Sequence, residues 1–231
     1  IVNTAVGTGA LAANTTGGSN TAVGQDALVA NTTGDNNTAV GRLTLDANTT
    51  GAQNTALGTL ALGASTTGDR NVAVGYATLD ANTTASDNTA IGTAALGVNT
   101  TGDRNVAIGN YSLDANTVGD RNVAVGYAAL TTYNPSTNED SYNTAIGYSA
   151  LYENTTGNFN TAVGGLSLDA NTTGSENTAI GKSAMTDNTT GGHNVAVGFE
   201  AAGANTTGDY NVAVGRQAFD ANTTGSYNTA L

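Results

Sequence analysis

Residues 20–36 read N-T-A-V-G-Q-D-A-L-V-A-N-T-T-G-D-N, and variants of this unit fill most of the 231-residue chain. Its opening motif, N-[TV]-A, recurs every 17 residues, apart from one interval of 21 between Asn122 and Asn143. We number the places of the unit from 1, the anchor asparagine, to 17. The fourteen anchors are Asn3, Asn20, Asn37, Asn54, Asn71, Asn88, Asn105, Asn122, Asn143, Asn160, Asn177, Asn194, Asn211 and Asn228. Such a short, regular period predicts a repeat architecture rather than a globular domain.

The residues of the unit favour strands and turns over helices. Glycine dominates places 5 and 15, and glycine destabilises the interior of a helix. The T-A-V segment at places 2 to 4 has the β-branched residues of a short strand, and the A-L-x segment at places 8 to 10 can form a second strand. Asparagine and glycine in the following A-N-T-T-G segment are typical of turns. We therefore predict an all-β fold, a parallel β-solenoid of about thirteen 17-residue coils, with coils roughly 4.8 Å apart.

Alternation of side chains along a strand divides the unit into two faces. One face carries Ala at place 3 in every copy and Gly at place 5, which indicates that another backbone approaches closely. The opposite face carries Thr or Val at place 2 and Val, Ile or Leu at place 4. Since both faces favour burial, we expect a neighbouring copy of the chain to cover the second one, in a homo-oligomer. The alternative is that loops of the same chain cover it. Neither end shows a polar capping unit, so either flanking segments are missing or rods stack end to end into a filament.

Two structural interpretations account for the anchor asparagine at place 1. Its side chain could bond the equivalent residue of the next coil in an internal amide ladder, as stacked parallel chains allow. It could instead form a local turn at the entry to the strand. Both ends of the chain fall inside the repeat, so we treat residues 1–231 as a single solenoid array excerpted from a longer chain.

Composition argues against several classes of function. The net charge is −12, with 6 basic residues against 18 acidic ones, so we expect no nucleic acid partner. Cysteine is absent and His193 is the only histidine, so no Ser/His/Asp or thiolate site can be built, and we expect no enzyme activity. No stretch of 18 apolar residues occurs, and we expect no membrane insertion.

The N-T-T segment matches the acceptor pattern for N-glycosylation. The candidate sites are Asn14, Asn31, Asn48, Asn82, Asn99, Asn154, Asn171, Asn188, Asn205 and Asn222, with Asn36 as a further match outside the repeat place. Asn and the second Thr are not lost together, however: Ser65 replaces the asparagine while Thr67 stays, and Val118 replaces the threonine while Asn116 stays. This favours turn formation as the main cause of the pattern, with glycosylation as an allowed consequence.

Aspartates recur at place 16, near the end of the loop. They are Asp35, Asp69, Asp103, Asp120 and Asp209. Their carboxylates, with loop carbonyls, could hold Ca²⁺ weakly between coils. Three of them precede an arginine, so ion pairs are an equal alternative, and other copies carry Gly, Ala or Ser at the same place. We predict no cofactor on which the rod depends.

One irregular stretch interrupts the repeat, residues 131–142, where four residues are added. Pro135 cannot donate to a hydrogen-bond ladder, so we expect this segment to leave the rod as a longer loop. Exposed aromatic residues favour partner contacts because they bury a large area at low entropic cost. The candidates for such contacts are Tyr133, Tyr142, Tyr148 and Tyr152.

At N-T-A-V-G-x-x-A-L the unit resembles the head repeats of YadA-like trimeric autotransporter adhesins, and similar repeats of some phage tail-fibre proteins. The resemblance implies a left-handed parallel β-roll, three chains around one axis, and a role in surface attachment or fibre building. This unit is longer than the family's, chiefly in the A-N-T-T-G loop. We therefore expect an extracellular or cell-surface structural or adhesive fibre, whose partners are itself and a host surface or carbohydrate. The alternatives are a glycan-presenting or carbohydrate-binding module and an ice-binding solenoid.

Overall fold

The computed structural model describes residues 2–138 and 140–231, which contain fourteen short β-strands in one parallel sheet, ordered as in the chain. The strands are β1 (Thr4–Val6), β2 (Thr21–Val23), β3 (Thr38–Val40), β4 (Thr55–Leu57), β5 (Val72–Val74), β6 (Thr89–Ile91), β7 (Val106–Ile108), β8 (Val123–Val125), β9 (Thr144–Ile146), β10 (Thr161–Val163), β11 (Thr178–Ile180), β12 (Val195–Val197), β13 (Val212–Val214) and β14 (Thr229–Ala230). Each strand is the T-A-V segment of one unit.

Every strand pairs with the strand of the next coil, and equivalent places lie opposite each other. Ala39 pairs with Ala56, and the register continues across the longer interval, where Ala124 pairs with Ala145. The described residues contain no helix, and therefore none that could cross a membrane. The predicted parallel β-solenoid of 17-residue coils is confirmed.

The second strand predicted at places 8 to 10 does not form, because this segment is a turn. Its leucine at place 9 adopts a left-handed conformation, with φ of 52° at Leu28, and the residue at place 7 does the same, with φ of 56° at Asp26. The segment still bonds from coil to coil, since the N–H of Leu28 donates to the carbonyl of Thr44 at 3.0 Å. The alternating backbone conformation reverses the chain within a narrow coil and keeps the leucine side chain inside.

Small residues allow the coils to be narrow. The alanines at places 3 and 8 and the leucine or methionine at place 9 are buried through most of the rod and form a single core. Glycine at place 5 has φ near +134° at Gly164, where an added Cβ would lie 2.5 Å from the carbonyl oxygen of Gly181. The close backbone approach that the sequence predicts therefore comes, at place 5, from the next coil of the same chain.

The outer strand face, defined as places 2 and 4 of all coils, points away from the core. Its large apolar side chains are partly or largely exposed, including Leu57 at 46% and Ile180 at 41%. No loop of the described chain covers this face along its length. The alternative in which loops of the same chain cover it is therefore wrong.

The irregular segment leaves the rod only in its middle. Tyr133 takes place 12 of its coil and is fully buried. The N–H of Asn134 donates to the carbonyl of Thr155 at 2.9 Å, as at place 13 of ordinary coils, and the N–H of Ser141 donates to the carbonyl of Asp120 at 3.2 Å. The expectation that the whole segment leaves the rod is wrong at both ends.

The middle of this segment forms an exposed bulge on the rod. Residues 136–138 and Asp140 are exposed, Asp140 pairs with Arg121, and Glu139 lies outside the described residues. Pro135 is buried beside Gly119, where an added Cβ would lie 3.0 Å from the proline Cγ. Proline has no backbone N–H to donate, and Pro135 lies where the chain departs from the hydrogen-bond ladder between coils.

Candidate functional site

The anchor asparagines form an amide ladder through the rod. The side-chain Oδ1 of Asn37 accepts the backbone N–H of the next anchor, Asn54, at 3.0 Å, and its Nδ2 donates to the carbonyl of Gly51 at 2.8 Å. The first bond joins neighbouring coils, while the second joins place 1 to place 15 of the same coil. The anchors are buried in all but the terminal coils. Of the two interpretations of place 1, the ladder is confirmed.

A second ladder runs through place 12, the asparagine of the N-T-T segment. Asn31 Nδ2 donates to Asn14 Oδ1 at 2.9 Å and to the carbonyl of Gly34 at 3.1 Å. Asn48 Nδ2 continues the ladder by donating to Asn31 Oδ1 at 2.8 Å. At place 13, Thr32 Oγ1 also donates to the next coil, at 3.0 Å from its acceptor carbonyl. The N-T-T segment thus has a structural role in every regular coil.

This geometry bears directly on the ten candidate glycosylation sites. Asn31, Asn48, Asn82, Asn99, Asn154, Asn171, Asn188 and Asn205 are at most 1% exposed, and Asn14 and Asn222 are partly buried. Nδ2 is the atom that a glycan would use, and here it donates hydrogen bonds inside the rod. The burial argues against sugar attachment to the folded chain. Glycosylation stays a prediction, and mass spectrometry of these peptides tests it.

One coil breaks the second ladder. Ser65 occupies place 12 and is fully buried between Asn48 and Asn82. Its short side chain does not reach Asn48 Oδ1, which is the buried side-chain oxygen without a hydrogen-bond partner among the described residues. An unsatisfied buried acceptor costs about 1–3 kcal/mol.

Restoring the ladder should stabilise the rod. We expect Ser65→Asn to raise the free energy of unfolding by about 1 kcal/mol, since its Nδ2 would reach Asn48 Oδ1. Chemical denaturation of the purified chain measures this change. Ser65→Ala is the control, because it leaves the acceptor unpartnered and should not stabilise. Equal effects of the two substitutions would contradict the prediction.

The aspartates at place 16 bond to the backbone of the preceding coil. Asp35 Oδ1 accepts the N–H of Gly18 at 2.6 Å, and Asp209 Oδ1 accepts the N–H of Gly192 at 2.7 Å. Asp69, Asp103 and Asp120 do the same. Serine at this place makes an equivalent bond, as Ser175 does.

Neither the aspartates nor the single histidine belongs to a larger polar site. No group of three histidine, aspartate or glutamate side chains with metal-binding geometry occurs within residues 2–138 and 140–231. Weak Ca²⁺ binding stays an untested expectation. His193 lies 3.1 Å from Glu176 and stacks on Tyr210 at the surface, with ring centroids 4.5 Å apart.

The surface carries an open cleft of about 480 Å³, which we call the tyrosine cleft. Its lining comes from places 6, 7 and 10 of four consecutive coils: Tyr111, Asp114, Tyr127, Ala128, Thr131, Tyr148, Ser149, Tyr152, Leu166 and Asp169. Cleft volumes of about 300–1,000 Å³ are typical of small-molecule sites. Stacking of coils alone brings these residues together, since they are spread over 59 positions of sequence, from 111 to 169.

Two carboxylates lie at the ends of the tyrosine cleft, at place 10 of the first and last coils. Burial raises the pKa of the Asp114 carboxyl above its ordinary value. Burial also raises the pKa of the Asp169 carboxyl, although a hydrogen bond donated by Thr186 Oγ1 at 2.6 Å opposes the shift. Both groups are therefore partly desolvated acceptors that face the cleft.

The four tyrosines predicted for partner contacts have different environments. Tyr148 and Tyr152 line the tyrosine cleft and are 60% and 39% exposed. Tyr142 is exposed and stacks on Phe159. Tyr133 is buried in the core, where its hydroxyl donates to Asn158 Oδ1 at 2.7 Å, so it cannot contact a partner in this structure.

The tyrosine cleft was not predicted from the sequence as a single site. Of the lining residues, the sequence predicted Tyr148 and Tyr152 as partner contacts and indicated no role for Tyr111, Asp114 or Asp169. Aromatic residues at places 6 and 7 of three successive coils were the available signal. No protein-family model, curated protein or solved structure matches the chain. Functional conclusions therefore depend on the geometry of the rod and its surface.

Proposed function

We propose that the chain is a structural or adhesive fibre subunit, outside the cell or on its surface, which associates with copies of itself through the outer strand face. The observation that carries this proposal is the uncharged, partly exposed face of Thr, Val, Ile and Leu side chains that runs along the strands of the rod. Extension of the rod requires only more copies of the same coil.

The interior supports a load-bearing rather than a catalytic role. Each regular coil repeats the same bonds to its neighbours: the strand pairing, the place 1 ladder, the place 12 ladder and the threonine bond at place 13. Strand contacts are confined to adjacent coils, so stability adds along the axis. A rod of this kind serves as a spacer or filament whose length is set by repeat number.

The outer strand face has the size and composition of an interface. Places 2 and 4 carry no charged residue in any coil, although the chain has a net charge of −12. With strands roughly 4.8 Å apart and a face about 10 Å wide, one rod offers on the order of 600 Å². Two such faces would bury about 1,200 Å², the lower end of stable protein interfaces. Flat β surfaces with exposed Val, Ile and Leu favour this kind of contact.

Charged substitutions on this face test the proposal. Ile146→Glu with Ile180→Glu places like charges at place 4 of two coils, while Thr156→Glu with Thr190→Glu adds the same charge at exposed place 14. In analytical ultracentrifugation, we expect oligomers for the unmodified chain and the place 14 variant. The dissociation constant of the oligomer should be about tenfold higher or more for the place 4 variant, because the added charges repel each other across the interface.

A monomeric unmodified chain, or equal behaviour of the two variants, would contradict self-association through this face. Thermal hysteresis by such a monomer would favour the ice-binding alternative instead. Electron microscopy of the native material, with antibody labelling of intact cells, tests the fibre and its surface location together.

A further inference from the structure

The aromatic rings of the tyrosine cleft form a stack that ends on an open face. The rings of Tyr127 and Tyr148 are nearly parallel, with centroids 5.7 Å apart and planes inclined by 10°. Tyr111 meets Tyr127 edge-on at 6.0 Å. Since one face of Tyr148 is turned to Tyr127 in the preceding coil, its other face is turned to the following coil.

The following coil lacks a side chain at the matching place. Place 6 is Gly165 there, and an added Cβ would meet only the backbone oxygen of Tyr148, at 3.9 Å. Every other complete coil has a side chain at place 6. The outer face of Tyr148 is therefore left uncovered, in agreement with its 60% exposure.

Phe199, another aromatic residue at place 6, differs from Tyr148 because side chains of both adjacent coils lie against its ring. Phe199 lies between Lys182 and Arg216, which occupy place 6 of the two adjacent coils. Their cationic groups lie 5.7 Å and 5.6 Å from its ring centroid. Its two faces are thus occupied by the protein, whereas Tyr148 offers one face to a ligand.

Polar groups surround this open ring within the same cleft. Asp169 is in the coil of Gly165, Tyr152 is in the coil of Tyr148, and Asp114 closes the far end three coils away. Three coil spacings are roughly 14 Å, a length that a short oligosaccharide can span. A flat aromatic surface beside partly desolvated carboxylates is amphipathic in the way that a sugar ring is.

We propose that the tyrosine cleft binds a neutral hexopyranose oligosaccharide, with the C–H face of one sugar ring on the open face of Tyr148 above Gly165. Hydroxyls of that ring donate to Asp169, and Asp114 accepts from a further ring of a longer oligosaccharide. Anionic ligands are opposed by these carboxylates. A quaternary ammonium needs several aromatic faces that converge on one point, and the parallel rings of Tyr127 and Tyr148 do not converge.

This inference is independent of self-association, because the cleft is built from places 6, 7 and 10 rather than from the outer strand face. A calorimetric panel of cellobiose, maltose, lactose and chitobiose, with choline chloride as the cationic probe, tests it on the full chain. We expect at least one disaccharide to bind with a dissociation constant on the order of 1 mM. Tyr148→Ala should weaken that binding about tenfold or more.

Gly165→Gln is the sharper variant, since it keeps every tyrosine and adds the side chain that Gln25 has at the same place. It should block the sugar while leaving the melting temperature nearly unchanged. Tyr76→Ala, at an exposed place 6 outside the cleft, is the matched control and should bind as the unmodified chain does. The oligomeric state of each variant, measured by ultracentrifugation, separates this result from the fibre proposal.

Three outcomes would overturn the proposal: no binding by any of the four disaccharides up to about 50 mM, sugar binding unaffected by Gly165→Gln in a folded rod, or binding of choline alone. The last would assign the cleft to a cation instead.

Discussion

Gly164→Ala should destabilise the rod by about 3 kcal/mol or more. Gly164 has φ of +134°, a conformation that side chains disfavour, and an added Cβ would lie 2.5 Å and 2.6 Å from the carbonyl oxygen and carbon of Gly181. Both atoms belong to the backbone of the next coil and cannot rotate away. The methyl group can be accommodated only if the two coils separate, which would stretch several of the hydrogen bonds between them.

The adjacent residue supplies a matched control. Gly165→Ala adds the same methyl group where nothing but a backbone oxygen lies within 4 Å, and without the positive φ. We expect it to be neutral or to stabilise by about 0.4–1 kcal/mol, because alanine restricts the unfolded chain. Urea denaturation followed by circular dichroism measures both variants. Similar losses for the two would show that the coils are not in the close contact described.

Asn177→Ala should cost about 2–4 kcal/mol, the second large effect. Asn177 Oδ1 accepts the backbone N–H of Asn194 at 3.0 Å, and its Nδ2 donates to the carbonyl of Gly191 at 2.8 Å. Alanine removes both bonds and leaves the buried N–H of Asn194 unsatisfied, while the Gly191 carbonyl keeps the bond that Asn188 Nδ2 donates at 3.0 Å. Since Asn194 is buried, the full desolvation penalty of its N–H applies.

Loss of an exposed asparagine provides the comparison. Asn138 lies in the bulge of the irregular segment and makes one weak contact at 3.5 Å, so Asn138→Ala should change the free energy of unfolding by less than about 0.5 kcal/mol. Hydrogen exchange adds a local measurement, because Asn177→Ala should accelerate exchange of the Asn194 amide specifically. Unchanged protection of that amide would contradict the ladder.

The strand positions could be predicted from sequence because T-A-V combines β propensity with strict periodicity. Place 9 could not be predicted in the same way. Leucine rarely adopts positive φ, and Leu28 does so only because its N–H bonds to the neighbouring coil while its side chain fills the core. Both causes are tertiary, and together they override the local preference of the residue.

The N-T-T segment is consistent with two interpretations from sequence, a glycan acceptor site and a buried amide ladder. Acceptor sites for glycans and buried amide ladders require the same asparagine, and only burial distinguishes them. Two sequence signals spoke against a glycan-driven pattern: Ser65 replaces asparagine while Thr67 stays, and Val118 replaces threonine while Asn116 stays. Prediction of the tyrosine cleft from sequence required a comparison between coils. Among the complete units, the one that begins at Asn160 lacks a side chain at place 6, where it has Gly165.

Place 12 carries asparagine in every coil except two, and these two coils divide the second ladder into separate segments. Ser65 and Tyr133 interrupt the chain of aligned amide dipoles, so cooperative polarisation along it ends at each of them. Three segments result, and at the Ser65 joint no other bond replaces the missing one, since Asn48 Oδ1 has no partner among the described residues. Under tension the rod should fracture there first, releasing whole blocks of coils in discrete steps rather than fraying one coil at a time.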